Sequence, residues 1–384
     1  MEAYKTNEKT EAFQELDWND VSRYFLMQFM ITSKCNLKCK HCYEDETVRK
    51  DVRLDEQKII LGRYFDAMHA WNRIPTLALS GGEPLVSENF WPLMDFIQER
   101  YETEKCGSFE ILTNGTLITS SVAQKLKRYS NLALVQVSLD GATPEVHDGV
   151  RGKGAFKKAT QALVNLNDAN VPTAVHYVVH RNNYGDAFKI TDIAVKFKVS
   201  QLLVTRLVPL GRGKDMQTLM LSPEETRKLY LKLSDDTDRL LTDYTKNKTG
   251  TLIVRNRCDW PVIFHEIENY KKNALFTKNG SRCQAGLIHI AVMQDGTVYP
   301  CRRMPIRIGN LLNQEFSEVW KNEFLWKLRL KDRLMQGKCK SCAFNKDPAM
   351  NYSCSGGASC VSYGFYGDPF KPDPQCSYDP PEKV

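Results

Sequence analysis

Cys35-Asn36-Leu37-Lys38-Cys39-Lys40-His41-Cys42 follows closely on an apolar run, Phe25–Ile31, and these two pieces decide how the chain is read. A short apolar run bounded by polar residues is the pattern of a buried strand. Three thiols within eight residues can wrap one metal centre from a single loop. A structural zinc site asks for a fourth ligand, and His41, the nearest candidate, sits next to Cys42, an awkward spacing for tetrahedral ligation. Three cysteines on a four-iron cluster leave one iron without a protein ligand, open to a substrate or cofactor. A zinc knuckle stays open as the alternative.

Outward from this stretch, short apolar runs alternate with longer amphipathic ones as far as about residue 215. The strand-like runs are Phe25–Ile31, Thr76–Leu79, Phe109–Leu112, Leu134–Leu139, Thr173–Val179 and Gln201–Thr205. Helix-like segments lie near 55–71, 87–103, 119–129, 155–169 and 186–196, with Ser87 and Thr119 as expected N-caps of two of them. Strand–helix units of this length favour a parallel sheet with right-handed crossovers. Six units fit an open (β/α)6 barrel of the TIM type, in which the site gathers at the C-terminal strand ends. Residues 222–247 read as a polar linking helix with Ser222 as N-cap and Pro223 at its first position. After about 250 the alternation stops, and turns and short hairpins are expected, such as Met293–Tyr299 around Asp295-Gly296. The expected division is a polar N-terminal segment (1–19), an α/β partial barrel (20–215), a linker helix (216–257) and a small cysteine-rich domain (258–384).

Bulk composition agrees with a soluble protein that has a real core. The 384 residues are 42% hydrophobic and 26% charged, with a formal charge of +7. That charge counts cysteines as neutral, and metal-bound cysteines are thiolates, so no nucleic-acid partner is read from it. No stretch approaches the roughly 18 apolar residues of a membrane span, and the N-terminus lacks a signal-peptide layout. A cytoplasmic protein is expected. Twelve cysteines in a reducing compartment read as metal ligands rather than disulfides. Eight of them, Cys258, Cys283, Cys301, Cys339, Cys342, Cys354, Cys360 and Cys376, lie in the last part of the chain, and Cys106 stands alone. Eight thiolates would ligate two four-iron clusters; a pair of zinc ribbons is the competing reading.

The spacing Cys-x3-Cys-x2-Cys, with an aromatic at His41, resembles the signature of the radical S-adenosylmethionine (SAM) superfamily. Ser80-Gly81-Gly82-Glu83-Pro84, one helix and one strand further on, resembles that family's segment for the SAM amino group. Thr113-Asn114-Gly115, Ser138-Leu139-Asp140-Gly141 and Arg151 close or follow later strands. The resemblance implies metal ligation by Cys35, Cys39 and Cys42. It implies SAM contacts at His41, Tyr43, Ser80, Gly81, Gly82, Glu83, Asn114, Ser138 and Arg151, with Ser138 at the ribose and Arg151 at the carboxylate. Turn and capping chemistry would account for several of these residues equally well.

The C-terminal cysteines are similar to the SPASM extension of that superfamily: Cys283, then Gly296-x4-Cys301, Cys339-x2-Cys342, Cys354, Cys360 and Cys376. By this resemblance one auxiliary 4Fe–4S cluster uses Cys283, Cys301 and Cys360, with Cys258 as candidate fourth ligand. The other uses Cys339, Cys342, Cys354 and Cys376. The stretch Ala343–Ser353 is longer than the family's usual spacing. Arg302 stands where sulfatase-maturing members carry an aspartate base, which argues against formylglycine formation. Arg302, Arg303 and Arg307 are candidate contacts for substrate carboxylates, though such arginines more often offset the negative charge of a cluster or pair with local acids. Most SPASM members modify peptides or proteins by crosslinking, epimerisation or oxidation; others act on haem precursors or other small molecules, and a zinc-stabilised non-enzymatic scaffold is a third reading. The expected partners are a peptide or protein substrate and a reductant such as flavodoxin or ferredoxin; with only 34 residues ahead of Cys35, a separate leader-peptide-binding protein, recognition by the core itself and a substrate without a leader all stay open. No catalytic acid or base is assigned.

Overall fold

The computed structural model describes residues 23–44, 50–104, 107–247, 252–253, 283–346 and 354–380. Cys106 and Cys258 lie outside the described residues, as does the expected N-terminal segment 1–19. Seven parallel strands run side by side in sequence order: β1 (Tyr24–Met30), β2 (Ile74–Ser80), β3 (Ser108–Thr113), β4 (Leu132–Ser138), β5 (Thr173–Val179), β6 (Gln201–Arg206) and β7 (Leu252–Ile253). Helices α1 (Leu54–Ala70), α2 (Phe90–Glu104), α3 (Ser120–Leu126), α4 (Pro144–Arg151), α5 (Ala155–Asp168) and α6 (Ile190–Lys196) occupy the connections, and α7 (Pro223–Asn247) precedes β7. This is the α/β architecture the alternation foretells.

Strand alternation builds the two faces of the sheet. Met27 and Phe29 of β1, Val135 and Val137 of β4, Val175 and Tyr177 of β5, and Leu202 and Val204 of β6 pack into the core. The residues between them, among them Gln28, Gln136, His176 and Thr205, line a cavity on the other face. Period-two geometry makes this sorting automatic.

Two local expectations change. Ser87 caps the turn that leads into α2 rather than the helix itself: its Oγ accepts from Asn89 N at 3.3 Å and its carbonyl from Phe90 N at 3.1 Å, after a short 3-10 segment, Pro84–Val86. The α4 helix, which the alternation alone does not show, starts at Thr143-Pro144, where the Thr143 hydroxyl accepts from Val146 N and Pro144 needs no hydrogen-bond partner. Thr119 caps α3 as expected. Ser222 and Glu225 form a reciprocal cap on α7, Glu225 N donating to Ser222 Oγ at 3.1 Å and Ser222 N to Glu225 Oε2 at 2.6 Å.

The C-terminal part is more regular than the sequence suggests. The expected hairpin is present as β8 (His289–Val292) and β9 (Thr297–Tyr299), followed by β10 (Gly309–Asn310). Yet β8 pairs in parallel with β1, which gives a ten-stranded sheet ordered β10-β9-β8-β1-β2-β3-β4-β5-β6-β7. Short helices at Phe316–Trp320, Glu323–Arg329 and Ser359–Tyr366 surround it. Phe316 and Trp320 stack edge-on against Phe25 at 5.7 and 5.1 Å, and Trp71 meets Phe316 at 5.4 Å. Burying rings of this size stabilises by about 2–3 kcal/mol each. A second tie is ionic: Arg206 at the end of β6 pairs with Asp373 through two 2.8 Å bonds, both side chains being buried. No helix among the described residues is long and apolar enough to cross a membrane.

Candidate active site

The loop after β1 carries Cys35, Cys39 and Cys42 and is pinned from several sides. Asp51 accepts from Thr32 Oγ1 at 2.5 Å and from Ser33 N at 2.7 Å. Gly82 N donates to Thr32 O at 2.9 Å, and Glu83 N to Lys34 O at 2.8 Å. This backbone approach explains the glycines: a Cβ on Gly82 would lie 2.3 Å from the Lys34 carbonyl oxygen, and one on Gly81 2.7 Å from that of Thr32. The turn is built for the cysteine loop to pack on it, in addition to whatever it contacts in the cavity.

A cavity of about 840 Å3 runs from this loop across the open face of the sheet. Its walls include Cys35, Cys39 and Cys42 from the first loop and Cys283, Cys301 and Cys360 from the C-terminal part. Of the residues singled out in the sequence, His41, Tyr43, Gly81, Gly82, Asn114, Ser138 and Arg151 line it. Ser80 and Glu83 are not among its lining residues. Ser80 is buried, accepting from Gln28 Nε2 at 3.3 Å. Glu83 is fully buried, and its carboxylate accepts from Thr113 Oγ1 and Asn114 N at 2.8 Å and Leu85 N at 3.3 Å. It thus clamps the end of β3 to the glycine turn. Burial pushes the pKa of its carboxyl up, and the three hydrogen bonds oppose that rise. Asn114 carries the clamp onward, its Nδ2 donating to Asn36 Oδ1 in the cysteine loop at 2.9 Å.

Asp140 is the electrostatic centre of the site. It is fully buried, and its Oδ2 lies 2.6 Å from Arg151 Nε and 2.8 Å from His41 Nε2. Its Oδ1 accepts from Val178 N at 2.8 Å, and its backbone carbonyl accepts from Asn183 Nδ2 at 3.0 Å. Burial alone would raise its pKa; Arg151 and His41 outweigh burial and hold the carboxyl well below the usual range. Arg151 reaches on to Cys39 Sγ at 3.8 Å. In sequence Asp140-Gly141 reads as a turn pair, so this role was missed.

The cavity walls contain further polar residues that sequence reasoning passed over: Gln28, Gln136, His176, Thr205 and His289. The signal was available as polar side chains at alternate positions of apolar strands. His176 Nε2 and Thr205 Oγ1 are 2.9 Å apart. Burial, with Arg303 and Arg151 nearby and Asp140 opposing, pushes His176 down to about 3. Burial and Arg303 push His289 down to about 4. Both rings are neutral near pH 7.

Four cysteines, Cys339, Cys342, Cys354 and Cys376, line a second, small cavity. Burial and the neighbouring Cys376 and Cys342 push the Cys339 thiol up to about 12, and burial moves Cys354 and Cys376 the same way. Thiols raised in this way, as Cys339, Cys354 and Cys376 are, become thiolates together when a polycation sits among them. Among the described residues no three Cys, His, Asp or Glu side chains form a group for a single metal ion. Thiols spread over the walls of a shared cavity suit a multi-iron centre, so the donor sets fit iron–sulfur clusters at both the first loop and here.

A parallel half-barrel with a three-cysteine loop at the end of its first strand, followed by a cysteine-lined C-terminal domain, defines a class of enzyme. The radical SAM superfamily profile matches residues 29–192, and an iron-sulfur cluster-binding domain of the SPASM type matches residues 283–343. The mycofactocin maturase MftC of Mycolicibacterium smegmatis is 32% identical over 90% of this chain and 81% of its own length. An AdoMet-dependent heme synthase of Methanosarcina barkeri is 29% identical over 93% of this chain and 97% of its own. Among solved structures, Streptococcus suis SuiB bound to its precursor peptide SuiA superposes with a TM-score of 0.71 at 17% identity, covering 97% of this chain and 80% of that one. The protein anSMEcpe with bound AdoMet and a peptide gives 0.68 at 21% identity, covering 92% of this chain and 94% of that one. The chain belongs to the radical SAM superfamily and is an enzyme of its SPASM-bearing branch.

Proposed function

We propose that this radical SAM enzyme modifies a side chain of a peptide or protein, by crosslinking, epimerisation or oxidation. The observation that carries the reading is the cavity walled by both cysteine triads, so that a substrate held in it faces both. A relative more than 30% identical along 90% of the chain is a maturase, which supports a peptide substrate. When bound, a cluster at Cys35, Cys39 and Cys42 supplies the electron that splits SAM into methionine and a 5′-deoxyadenosyl radical, the species that takes the substrate hydrogen atom.

This chain's residues prepare the site. Gly81 and Gly82 would offer backbone to the SAM amino group, Arg151 would hold its carboxylate, and Asn114 and Ser138 would hold the ribose, with His41 and Tyr43 contributed by the cysteine loop. Asp140 keeps Arg151 and His41 in place. Neutral His176 and His289 add hydrogen-bonding groups without charge. Cys283, Cys301 and Cys360, with Cys258 as fourth ligand, hold one auxiliary cluster, and the four cysteines of the small cavity hold another. The working division remains a barrel to about residue 215, a linker helix and a cysteine-rich domain from 258. The partners in this reading are a flavodoxin or ferredoxin and a separate leader-binding protein.

A second reading is a haem-pathway or other small-molecule reaction, favoured by the heme synthase relative that spans nearly the same length. Anaerobic incubation with SAM and reductant separates the two. A defined mass change in a candidate precursor peptide supports the first; turnover of iron coproporphyrin III with no peptide product rejects it. Replacing Cys35, Cys39 and Cys42 with Ala is expected to abolish 5′-deoxyadenosine formation, and retained formation rejects both readings.

A further inference from the structure

Arg302 follows directly on Cys301, a wall residue of the cavity, and its side chain reaches the loop of the first cysteine triad and the glycine turn. Its Nε donates to Glu44 Oε1 at 2.7 Å, and its Nη2 donates to Gly81 O at 2.7 Å while lying 2.6 Å from Glu44 Oε1. The guanidinium carbon stands 5.1 Å from the centre of the Tyr43 ring. The side chain is 10% exposed and its Glu44 partner 25%. Glu44 stands two residues beyond Cys42, and its own carbonyl packs on Gly211, where a Cβ would meet it at 2.3 Å. Gly81 opens the glycine turn. One guanidinium therefore grips both of these segments, while its backbone belongs to the auxiliary loop. A planar fork can hold a carboxylate and a carbonyl at fixed angles to each other; a lysine ammonium cannot. With Nε and Nη2 held in this way, Arg302 pairs with a local acid, one of the roles its sequence position left open.

We infer that Arg302 is a positioning residue that couples the auxiliary loop to SAM binding: it sets the Gly81 carbonyl and the Tyr43 ring, so displacement of Cys301 is felt as a change in SAM affinity. This rests on the SAM-site reading above. The coupling is reciprocal by linkage, so bound SAM steadies the Cys301 loop in turn. A purely structural clamp would change stability but would not make these two sites respond to each other.

The test uses reconstituted full-length enzyme under anaerobic conditions, with SAM dissociation constants from equilibrium dialysis. Arg302→Gln is expected to weaken SAM binding about 10-fold and Arg302→Lys by a smaller factor, with iron content retained. Cys301→Ser is expected to weaken SAM binding in the native background and to add less than about twofold on top of Arg302→Gln, the signature of a shared route. Amide hydrogen exchange around Cys301 is expected to slow on SAM addition in the native enzyme and not in Arg302→Gln. Unchanged SAM affinity in Arg302→Gln, or full additivity with Cys301→Ser, overturns the inference. If Arg302→Gln does not retain iron, Glu44→Gln removes the carboxylate partner alone, and native-like SAM affinity in that variant overturns it equally. A native enzyme that binds no SAM rejects the SAM-site reading itself, a result distinct from either.

Discussion

Asp140 and Arg151 meet at 2.6 Å with Asp140 fully buried and Arg151 nearly so. The pair holds the C-terminal end of β4 against α4 and, through His41, against the cysteine loop. Asp140→Asn keeps the shape and removes the countercharge, leaving a buried guanidinium uncompensated. The expected cost is about 3–5 kcal/mol in urea unfolding, with SAM affinity falling as well. A loss below about 1 kcal/mol would show that Arg151 finds another anion or water.

The Arg206–Asp373 pair predicts a different pattern. Asp373 also accepts from Ala358 N and Gln375 N, both at 3.0 Å, so it organises the backbone just ahead of Cys360 and Cys376. Asp373→Asn should lower the melting temperature and the iron content together. Replacing both partners with apolar residues should cost less than either single change, because no buried charge is stranded. Calorimetry on the four proteins decides it.

Removing the second cluster site should separate two activities. With Cys339 and Cys342 replaced by Ala, 5′-deoxyadenosine should still form, while modified product should not. Both are read from one anaerobic reaction by mass spectrometry. Unchanged product yield would take that site out of the reaction.

Acid should weaken the fold from a higher pH than carboxylates alone would require. Burial holds His176 at about 3 and His147, His180 and His289 at about 4. Unfolding frees them to protonate near 6.5. A depressed histidine therefore contributes its stability in full above about pH 6.5 and loses it as pH falls toward 4. Asp140, also depressed, adds its loss only below about pH 4. Melting temperature should be level from pH 8 to 7 and fall between 6.5 and 4.5, with His176→Gln flattening part of that slope. An identical slope in the variant would contradict the assignment of His176 as a buried neutral ring.

The elements that repeat were readable from the residues. β5 spans Thr173–Val179, as its apolar run predicts, and the other barrel strands differ from theirs by a few residues at the ends. The cysteine loop and the glycine turn were readable because their spacing is local. What escaped was set by contacts distant in sequence. Arg206 and Asp373 are 167 residues apart, and Arg302 and Glu44 are 258 apart. Neither pair leaves a periodic trace. Glu83 was expected to receive an ammonium group, and its carboxylate instead holds Thr113, Asn114 and Leu85. A motif names the residue type a position needs, but the direction its side chain takes depends on which neighbours have open donors.

The parallel pairing of β8 with β1 means that the two halves share a seam of peptide hydrogen bonds, from Leu26–Phe29 to His289–Val292. Cutting the chain ahead of β8 would bare the flank of the first barrel strand, a template for sticking to other molecules. The auxiliary half is in this sense selvedge to the catalytic half, and expression of residues 23–282 alone should yield clumped protein where the whole chain stays dispersed.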